Sequence, residues 1–415
     1  MNKDELFLSP ERLEDLARTL PTPFYLYDEA GIRQAARRYR AAFAWNPGYR
    51  QFFPVKATPT AAILRLLGEE GCGMVCSSGG ELELCRRCGF APRDVLFLPN
   101  FPLPQDIALA GKLGVGIILD GPESAAFAAA GCRMDTVGLR YNPGGEFRAE
   151  GITLSRPGEQ KFGLSRSALL EEAKKLKALG TRALGLHAYL RGNTLHQGYL
   201  PALAELLFPL AAELREETGL EIAYVNLSGG LGIPYEPEDI APDLEAAAQE
   251  VRAAWESILV PAGLGNVPIY TEPGRYLTGP YGILVSRVVS IKRDHRSYMG
   301  LDASAADLMR PLLYGAYHHV TLPGKAPDAP RQPWDVVGGI AENTDKFAVD
   351  RLLPDPEPGD LCVIQDAGAH GHSMGYNYGG KLRCAEYLLL ADGGVRLIRR
   401  AETVEDYLKT QVFDL

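Results

Sequence analysis

A lysine at the end of an apolar run is the residue with the clearest chemical potential. Lys56 closes an apolar run that begins at Tyr49. Lysines usually stay at the surface, so a solvated lysine at a strand end is the simplest interpretation. Desolvation can instead lower the pKa of a lysine until its amine is free to form a Schiff base with a carbonyl group. The rest of the sequence decides between these two interpretations.

Polar residues and glycines also stand at the ends of other apolar runs. One run ends in Glu272-Pro273-Gly274-Arg275, another ends in Ser228-Gly229-Gly230-Leu231-Gly232, and a third contains His187. The backbone N–H groups of a glycine loop can approach a phosphate closely. Each feature also has an ordinary structural alternative: a plain turn for the glycines, a solvated strand end for Glu272, and a core histidine for His187.

The apolar runs alternate with segments of helical periodicity, which is the pattern of a (β/α)8 barrel. Active sites of such barrels lie at the C-terminal ends of the strands, so we expect the residues above to converge on one rim. The barrel is predicted over residues 30–279. The eight predicted strands are Gln51–Ala57, Gly73–Ser78, Val95–Pro99, Gly116–Gly121, Thr136–Pro143, Ala183–Leu190, Tyr224–Gly230 and Ile269–Arg275.

The pattern changes after Gly279, where strand-like runs follow without long helices and are separated by Pro- and Gly-rich turns. Residues 280–415 therefore predict a β domain, which residues 1–29 complete with a strand at Phe24–Asp28. The predicted fold class is an α/β barrel plus an all-β domain. The predicted strands after the barrel are Tyr281–Lys292, Trp334–Ile340, Leu361–Asp366, Ala385–Ala391 and Val395–Arg399.

Composition argues against several classes of partner. The 415 residues include 43 Lys and Arg against 52 Asp and Glu, a net charge of −9, which disfavours nucleic acid and anionic membranes as main partners. No stretch is long and apolar enough to span a bilayer. The N-terminal residues lack the features of a signal peptide, which predicts a cytoplasmic protein.

The cysteines predict reduced thiols and no metal site. There are seven of them, an odd number, in a chain without a recognisable secretory signal. Cys72, Cys76, Cys85 and Cys88 allow a zinc interpretation. Their spacing is not that of paired C-x-x-C motifs, however, and Cys76 lies in a predicted strand, which makes zinc the weaker interpretation.

Eight short motifs follow one another in order along nearly the whole chain: Pro54–Ala57, Ser77–Leu82, Lys161–Leu164, Ser228–Gly232, Glu272–Arg275, Met309–Tyr314, Gly339–Asp345 and Asp366–His370. Together they resemble the fold-type III pyridoxal-phosphate decarboxylases, the group of the diaminopimelate and ornithine decarboxylases. The resemblance implies an alanine-racemase-like (β/α)8 TIM barrel with a C-terminal β-sandwich or β-barrel domain. It also implies pyridoxal 5'-phosphate as the cofactor and a small-molecule amino-acid substrate.

The resemblance assigns cofactor-binding roles to residues of the barrel. Lys56 becomes the Schiff-base lysine, and Glu272 becomes the carboxylate that keeps the pyridine nitrogen protonated, which makes the ring a strong electron sink. The phosphate is expected to rest on one loop with Arg275 beside it. The residues of that loop are Ser228, Gly229, Gly230 and Gly232.

The resemblance also implies how the substrate is recognised. Arg275, Arg310 and Tyr314 are expected to face the substrate, and Glu342 is expected to meet a distal ammonium group. Two arginines suit a substrate with a second carboxylate, because guanidinium groups bind carboxylates bidentately. This favours diaminopimelate over ornithine. The alternative is that Arg310 and Glu342 form ordinary ion pairs.

The chain departs from the family pattern at two positions that concern proton transfer. Ala341 stands where the family has a cysteine, which the partner subunit contributes and which helps to protonate the carbanion. His370 stands where the family usually has a tyrosine. His370 or the nearby His372 is therefore a candidate proton donor.

The sixth barrel strand departs as well. In place of the family's His-x-Gly-Ser, the chain reads His187-Ala188-Tyr189-Leu190-Arg191-Gly192-Asn193-Thr194. Tyr189 is expected to take the position that stacks on the cofactor, and Arg191 is an additional cation that can contact a carboxylate. Near the C-terminus, Tyr378 is expected to touch the cofactor.

The sequence thus predicts a pyridoxal-phosphate-dependent amino-acid decarboxylase of the diaminopimelate type, acting as a head-to-tail homodimer with shared sites. One alternative is a racemase or epimerase on the same scaffold, which Ala341 and His370 favour and Glu272 disfavours. A second alternative is a non-catalytic cofactor-binding homologue, which the presence of Lys56 disfavours.

Overall fold

The chain divides into two compact units. The computed structural model describes residues 5–149, 151–326 and 328–413. One unit comprises the described residues among 1–32, 234–239 and 277–415, and the other comprises 33–233 and 240–276. The segment 234–239 thus groups with the β-domain unit, whereas the division made from the sequence places it within the barrel domain.

The secondary structure alternates in the first two thirds of the chain and is mostly β afterwards. Among the described residues, the strands in chain order are β1 (Phe24–Asp28), β2 (Arg50–Pro54), β3 (Gly73–Cys76), β4 (Val95–Phe97), β5 (Gly116–Leu119), β6 (Thr136–Arg140), β7 (Phe147–Ala149), β8 (Ile152–Ser155), β9 (Ala183–His187), β10 (Glu221–Asn226), β11 (Ile269–Thr271), β12 (Gly282–Arg293), β13 (Ser297–Leu301), β14 (Val320–Thr321), β15 (Arg331–Val337), β16 (Lys346–Pro354), β17 (Leu361–Ile364), β18 (Ala385–Leu389) and β19 (Val395–Arg399). The α-helices are α1 (Pro10–Thr19), α2 (Glu29–Ala42), α3 (Ala61–Glu69), α4 (Gly79–Cys88), α5 (Pro104–Leu113), α6 (Ser124–Ala129), α7 (Arg166–Ala178), α8 (Tyr199–Thr218), α9 (Leu244–Ala254), α10 (Arg275–Thr278), α11 (Arg310–Tyr314) and α12 (Val404–Leu408).

Eight parallel strands close into a barrel in the order β2-β3-β4-β5-β6-β9-β10-β11, which confirms the predicted (β/α)8 architecture. Every predicted barrel strand is present, but each ends earlier than its apolar run suggested. The residues that follow each strand leave the hydrogen-bonded ladder and form the loops of the C-terminal rim. Lys56, for example, lies in a short 3-10 turn, Val55–Ala57, directly after β2.

The barrel interior is filled by side chains that point inward from successive strands. Phe52, Val75, Leu96, Leu98 and Ile118 form one buried cluster, against which Tyr270 packs. Tyr224 and Tyr270 also stack, with ring centroids 4.4 Å apart and planes inclined by 12°. Large apolar side chains thus occupy the centre of the barrel. The polar side chains that can bind a ligand lie at the rim.

The β-domain unit is built on one mixed sheet. The sheet runs β16-β15-β13-β12-β1-β18-β19, and β17 pairs with both β12 and β14. The N-terminal strand β1 lies antiparallel to β12 and parallel to β18, with Phe24 opposite Val285 and Ala385. The N-terminal strand β1 is thus part of this sheet, and the predicted class of barrel plus β domain is confirmed.

Strands β13, β14 and β16 and the hairpin of β7 and β8 were not predicted from the sequence. The register between β15 and β16 shifts near Trp334 and Val336, and these irregularities interrupt the alternation of apolar and polar residues along the strands. β14 spans only two residues, which is too short for an alternating pattern to stand out. Across the described ranges of the chain, no helix has both the length and the apolar character needed to cross a bilayer.

Candidate active site

The C-terminal rim of the barrel gathers four of the predicted site residues. Lys56 follows β2, Tyr189 follows β9, Ser228 follows β10 and Glu272 follows β11. Because the strands are parallel and adjacent in the closed barrel, residues that follow them share one rim. The convergence predicted from the sequence is thus seen in the structure for this set.

The carboxylate of Glu272 is buried, with 6% of the residue exposed, and both of its oxygens accept hydrogen bonds. The Asn226 Nδ2 amide donates to Oε1 at 2.7 Å, and the Ser228 hydroxyl donates to Oε2 at 3.1 Å. The Ser228 N–H donates to Asn226 Oδ1 at 2.8 Å, which fixes the orientation of the amide. These contacts hold the carboxylate in one position.

A buried histidine lies against the same carboxylate. His187 is fully buried, and its Nε2 atom is 3.5 Å from Glu272 Oε1. Burial raises the pKa of Glu272, but His187 and the hydrogen bonds from Asn226 and Ser228 outweigh this effect and hold that pKa below its usual value. Burial also lowers the pKa of His187, against the opposing effect of Glu272. The carboxyl group is therefore ionised at neutral pH.

The amine of Lys56 also lies at this rim. Its side chain is accessible to solvent, yet barrel atoms surround it closely enough to lower its pKa by desolvation. The charge of Arg140 lowers this pKa further, whereas Glu272 and Glu81 raise it. The net pKa lies below that of an ordinary lysine, which increases the fraction of nucleophilic, neutral amine. The Nζ atom is 5.9 Å from the centroid of the Tyr189 ring.

A second buried charge pair supports this side of the rim. Arg140, the last residue of β6, pairs with Asp120 at 3.1 Å, and both side chains are almost fully buried. Asp120 Oδ1 also accepts a hydrogen bond from the Gly163 N–H at 3.1 Å. The Arg140 guanidinium carbon is 5.8 Å from the Tyr189 ring centroid and 4.3 Å from that of Phe162. Arg140 therefore adds positive charge close to Lys56.

No role was predicted from the sequence for Arg140, Asp120, Asn226 and Glu81. A signal for two of them was present, because Arg140 and Asn226 each end a barrel strand, the position where functional residues are expected. Glu81 accepts hydrogen bonds from both the backbone N–H and the hydroxyl of Ser77, at 2.6 and 3.0 Å. Burial raises the pKa of Glu81, and the charge of Lys56 is among the effects that lower it.

The loop after β10 approaches the neighbouring strand end closely. A Cβ atom on Gly229 would lie 2.2 Å from the backbone oxygen of Glu272, so no larger residue fits there. Ser228 and Gly230 both have positive φ, 56° and 109°. In the described chain, the N–H groups of Gly229 and Gly230 donate to no other group. Backbone donors in such a turn suit the binding of an anionic phosphate.

The remaining predicted site residues of the barrel lie at the same rim. Gly232 packs against Asn193, and a Cβ atom there would come within 2.7 Å of Asn193 Oδ1. Arg275 begins α10, and its charge is among the effects that lower the pKa of Tyr189, although burial raises that pKa overall. Arg191 follows β9 and has an exposed side chain.

The other predicted site residues belong to the β-domain unit. Arg310 is buried at the start of α11, and Tyr314 is 65% exposed at the end of the same helix. Glu342 is exposed in the loop between β15 and β16. His370 follows β17 with a positive φ of 56°, and Tyr378 is exposed in a short turn.

The donor set of the barrel rim fits pyridoxal phosphate. The rim offers a lysine amine with a lowered pKa for the aldehyde, a buried ionised carboxylate for the pyridine nitrogen and unengaged backbone N–H groups for the phosphate.

The seven cysteines are free thiols. Over the ranges 5–149, 151–326 and 328–413, no three His, Cys, Asp or Glu side chains are grouped to hold a metal ion.

A closed parallel barrel with this lysine, carboxylate and glycine loop at one rim defines a pyridoxal-phosphate-binding barrel. The family model described as "Pyridoxal-dependent decarboxylase, pyridoxal binding domain" matches residues 29–279. The chain therefore belongs to the pyridoxal-dependent decarboxylases. It is an amino-acid decarboxylase whose cofactor is pyridoxal 5'-phosphate.

The chain is also similar to individual proteins and to a solved structure. The chain is 42% identical over 396 residues to protein TabA of Pseudomonas amygdali pv. tabaci, covering 95% of this chain and 92% of TabA. It is 33% identical over 418 residues to the diaminopimelate decarboxylase of Methanothermobacter thermautotrophicus, covering 99% and 96%. The structure also superposes on diaminopimelate decarboxylase from Helicobacter pylori complexed with L-lysine, with a TM-score of 0.84, 27% identity and coverage of 95% and 98%.

Proposed function

We propose that this protein decarboxylates meso-diaminopimelate, or a closely related diamino dicarboxylic acid, and that diaminopimelate yields lysine. The buried, ionised Glu272 at the barrel rim is the observation that carries the reaction type. The similarity to diaminopimelate decarboxylases supports the substrate class. L-Lysine, the compound bound to the Helicobacter pylori relative, is what remains when diaminopimelate loses one carboxyl group.

Different barrel residues would hold different parts of the cofactor. Pyridoxal phosphate, when bound, supplies a sink for the electron pair that the departing carbon dioxide leaves behind. The Glu272 carboxylate would hold a proton at the pyridine nitrogen and so keep that sink strong. Asn226 and Ser228 keep this carboxylate ionised and oriented. A neutral or cationic side chain at this position would weaken the sink.

Lys56 and the glycine loop fix the two ends of the cofactor in this proposal. Lys56 would hold the aldehyde end of the cofactor, because its lowered pKa makes the amine available. The N–H groups of Gly229 and Gly230 donate to the phosphate, with Gly232 and Arg275 in the same region of the rim. Tyr189 would hold the pyridine ring, in the role that the family gives to a histidine.

Substrate recognition is assigned to cationic and acidic side chains. Arg275, Arg310 and Tyr314 bind the carboxylate groups, with Arg191 as an additional cation. Glu342 binds the distal ammonium group. A substrate with two carboxylates and two amines would engage all of these groups, whereas ornithine offers only one carboxylate. Tyr378 completes the set as a cofactor contact.

We propose His370, rather than His372, as the proton donor that replaces the cysteine absent at Ala341. His372 is buried, and its Nε2 atom is 3.0 Å from the carbonyl oxygen of Cys384. Burial lowers the pKa of His372, which opposes a role as an acid. His370 is partly exposed in the loop after β17 and can reach a ligand more easily.

The reaction is tested by mass spectrometry of the protein loaded with pyridoxal phosphate in heavy water. The substrates are meso-diaminopimelate, ornithine, arginine and L-lysine, and the Lys56→Ala variant is the control. Diaminopimelate converted to singly deuterated lysine is the expected result. Deuterium in unconverted amino acid would instead favour an epimerase, and unchanged diaminopimelate with cofactor bound would contradict the proposal.

We also propose a head-to-tail homodimer in which Glu342 completes the site of the second copy. Exposed apolar side chains of the β-domain unit support such an interface: Leu313 and Tyr314 on α11, and Val349 and Leu352 on β16, which packs against α11. A mixture of the inactive variants Lys56→Ala and Glu342→Ala should regain up to about a quarter of the activity, because half of the randomly mixed dimers carry one intact site. A monomeric protein or an inactive mixture would contradict the dimer.

A further inference from the structure

The guanidinium group of Arg310 is held by two aromatic rings inside the β-domain unit. Its Nη1 atom is 2.7 Å from His318 Nε2, and its central carbon is 4.5 Å from the centroid of the Tyr235 ring. Arg310 is 6% exposed and His318 is fully buried. The rings of His318 and Tyr235 meet edge to face, with centroids 5.2 Å apart. The guanidinium thus rests on one ring and donates to the other.

The two contacts of the His318 ring define its tautomer. His318 Nδ1 is 2.8 Å from the backbone oxygen of Gln365, and a carbonyl oxygen can only accept a hydrogen bond. The proton therefore lies on Nδ1, and the lone pair of Nε2 is left to accept from Arg310, which can only donate. One neutral tautomer satisfies both contacts.

The backbone around His318 is itself anchored. The carbonyl oxygen of His318 accepts a hydrogen bond from Arg351 Nη1 at 2.9 Å. The Arg351 guanidinium carbon lies 3.9 Å from the ring centroid of Tyr317. The Gln365 N–H donates to the carbonyl oxygen of His319 at 2.9 Å, which ties the strand end of β17 to the same segment. The imidazole is therefore a rigid acceptor for Arg310.

We infer that His318 is a positioning residue that sets the recognition of the distal carboxylate through Arg310. This inference rests on the proposed function, in which Arg310 binds a substrate carboxylate. A neutral imidazole fixes the guanidinium without neutralising its charge, whereas an Asp or Glu at position 318 would compete with the substrate for it. A pre-oriented guanidinium binds a carboxylate at a lower entropic cost than a mobile one.

Substitutions at position 318 can separate the acceptor from the rest of the imidazole. His318→Gln keeps an acceptor near the position of Nε2. His318→Asn keeps a donor for Gln365 but is too short to reach Arg310. Arg310→Lys removes the bidentate guanidinium group and serves as the reference for its loss. His295→Asn is the matched surface control, because the side chain of His295 is 98% exposed.

The readout is the KM for meso-diaminopimelate compared with the inhibition constant of D-lysine, which is the same molecule without the distal carboxylate. His318→Asn and Arg310→Lys should each raise the KM about tenfold, while kcat and the D-lysine constant change less than about threefold. His318→Gln should stay within about threefold of the unsubstituted protein, as should His295→Asn. Circular dichroism confirms that each variant is folded.

The outcomes distinguish the inference from the function on which it rests. If Arg310→Lys raises the KM for meso-diaminopimelate tenfold and His318→Asn does not, the positioning role of His318 is wrong. The proposed function is not affected by that result. The positioning role is also wrong if His318→Asn raises the KM for diaminopimelate and the inhibition constant of D-lysine equally, because equal changes would indicate a general structural defect. If the unsubstituted protein does not convert diaminopimelate, the proposed function fails, and the inference about its carboxylate fails with it.

Discussion

The hydroxyl group of Tyr189 occupies the space that a side chain at position 192 would need. A Cβ atom on Gly192 would lie 2.5 Å from the Tyr189 hydroxyl oxygen and 3.7 Å from the ring carbon that carries it. Only the hydroxyl is in conflict, because 3.7 Å is an ordinary van der Waals distance. Tyr189 and Gly192 are therefore sterically linked, and a tyrosine at the cofactor face depends on a glycine three residues later.

Gly192→Ser should weaken cofactor binding because the added side chain displaces the Tyr189 ring. Overpacking of this kind costs about 1–3 kcal/mol, which corresponds to a loss of roughly tenfold in affinity. In the Tyr189→Phe background, the same substitution should cost little. Titration of the apoprotein with pyridoxal phosphate, followed by absorbance, gives the four dissociation constants of the cycle. An equal effect of Gly192→Ser in both backgrounds would contradict the steric link.

Glu272→Gln should lower kcat by on the order of a hundredfold or more, because a neutral amide cannot hold the proton at the pyridine nitrogen. The variant should still bind one cofactor per chain. Ser228→Ala is the matched control, since it removes one hydrogen bond from the carboxylate at 3.1 Å and leaves the charge in place. That control should lose less than about tenfold. Comparable losses in both variants would show that packing, rather than charge, matters here.

The stability of the protein should depend on pH through Asp307 of the β-domain unit. Asp307 is buried and accepts hydrogen bonds from the N–H groups of Ser304 and Cys384, both at 3.0 Å. Burial raises the pKa of Asp307 from 3.8 to about 6. The folded state thus keeps a proton that the unfolded chain has already lost. The stabilisation from this group is present below about pH 4 and is lost as the pH rises through 6.

Chemical unfolding at several pH values checks this prediction against the variant Asp307→Asn, which cannot ionise. Between pH 4.5 and 7.5, the free energy of unfolding of the unsubstituted protein should fall by roughly 2 kcal/mol relative to the variant. A difference that stays constant over this range, or that grows with pH, would show that Asp307 is ionised in the folded protein throughout.

His370→Phe should lower kcat by on the order of a hundredfold, because the proposed proton donor is lost. Deuterium incorporated from heavy water should also lose its stereochemical purity, which is read by NMR of the product. The double variant His370→Phe with Ala341→Cys should recover part of the rate, since it restores the thiol that the family has at this position. A His370→Phe variant with an unchanged rate and a single product stereoisomer would contradict the assignment.

The sequence was sufficient to predict the barrel because its strands are short apolar runs at regular spacing. It also located Lys56 and Glu272, since both stand directly after such runs. The partners of Glu272 were not found, because Asn226 and His187 become its neighbours only when adjacent strands close the barrel. Arg140 was missed for the same reason, as its position close to Lys56 depends on the closure of strands that are distant in sequence.

The β domain was predicted less completely. The missed strand β16 pairs with β15 through register shifts, and β16 itself contains the charged residues Lys346, Asp350 and Arg351. Charged residues inside a strand conceal its pattern unless their partners are known. His318 carried no signal in the sequence, because its role depends on the lone pair that its buried ring presents to Arg310.

We propose that the cofactor binds at the barrel rim through Lys56. Borohydride reduction of the loaded protein makes a lysine–pyridoxal linkage permanent, and digestion followed by mass spectrometry locates it. We expect one reduced pyridoxal phosphate per chain, on the peptide that contains Lys56, and none in Lys56→Ala. A label on another lysine, or an unchanged yield of label in Lys56→Ala, would contradict it.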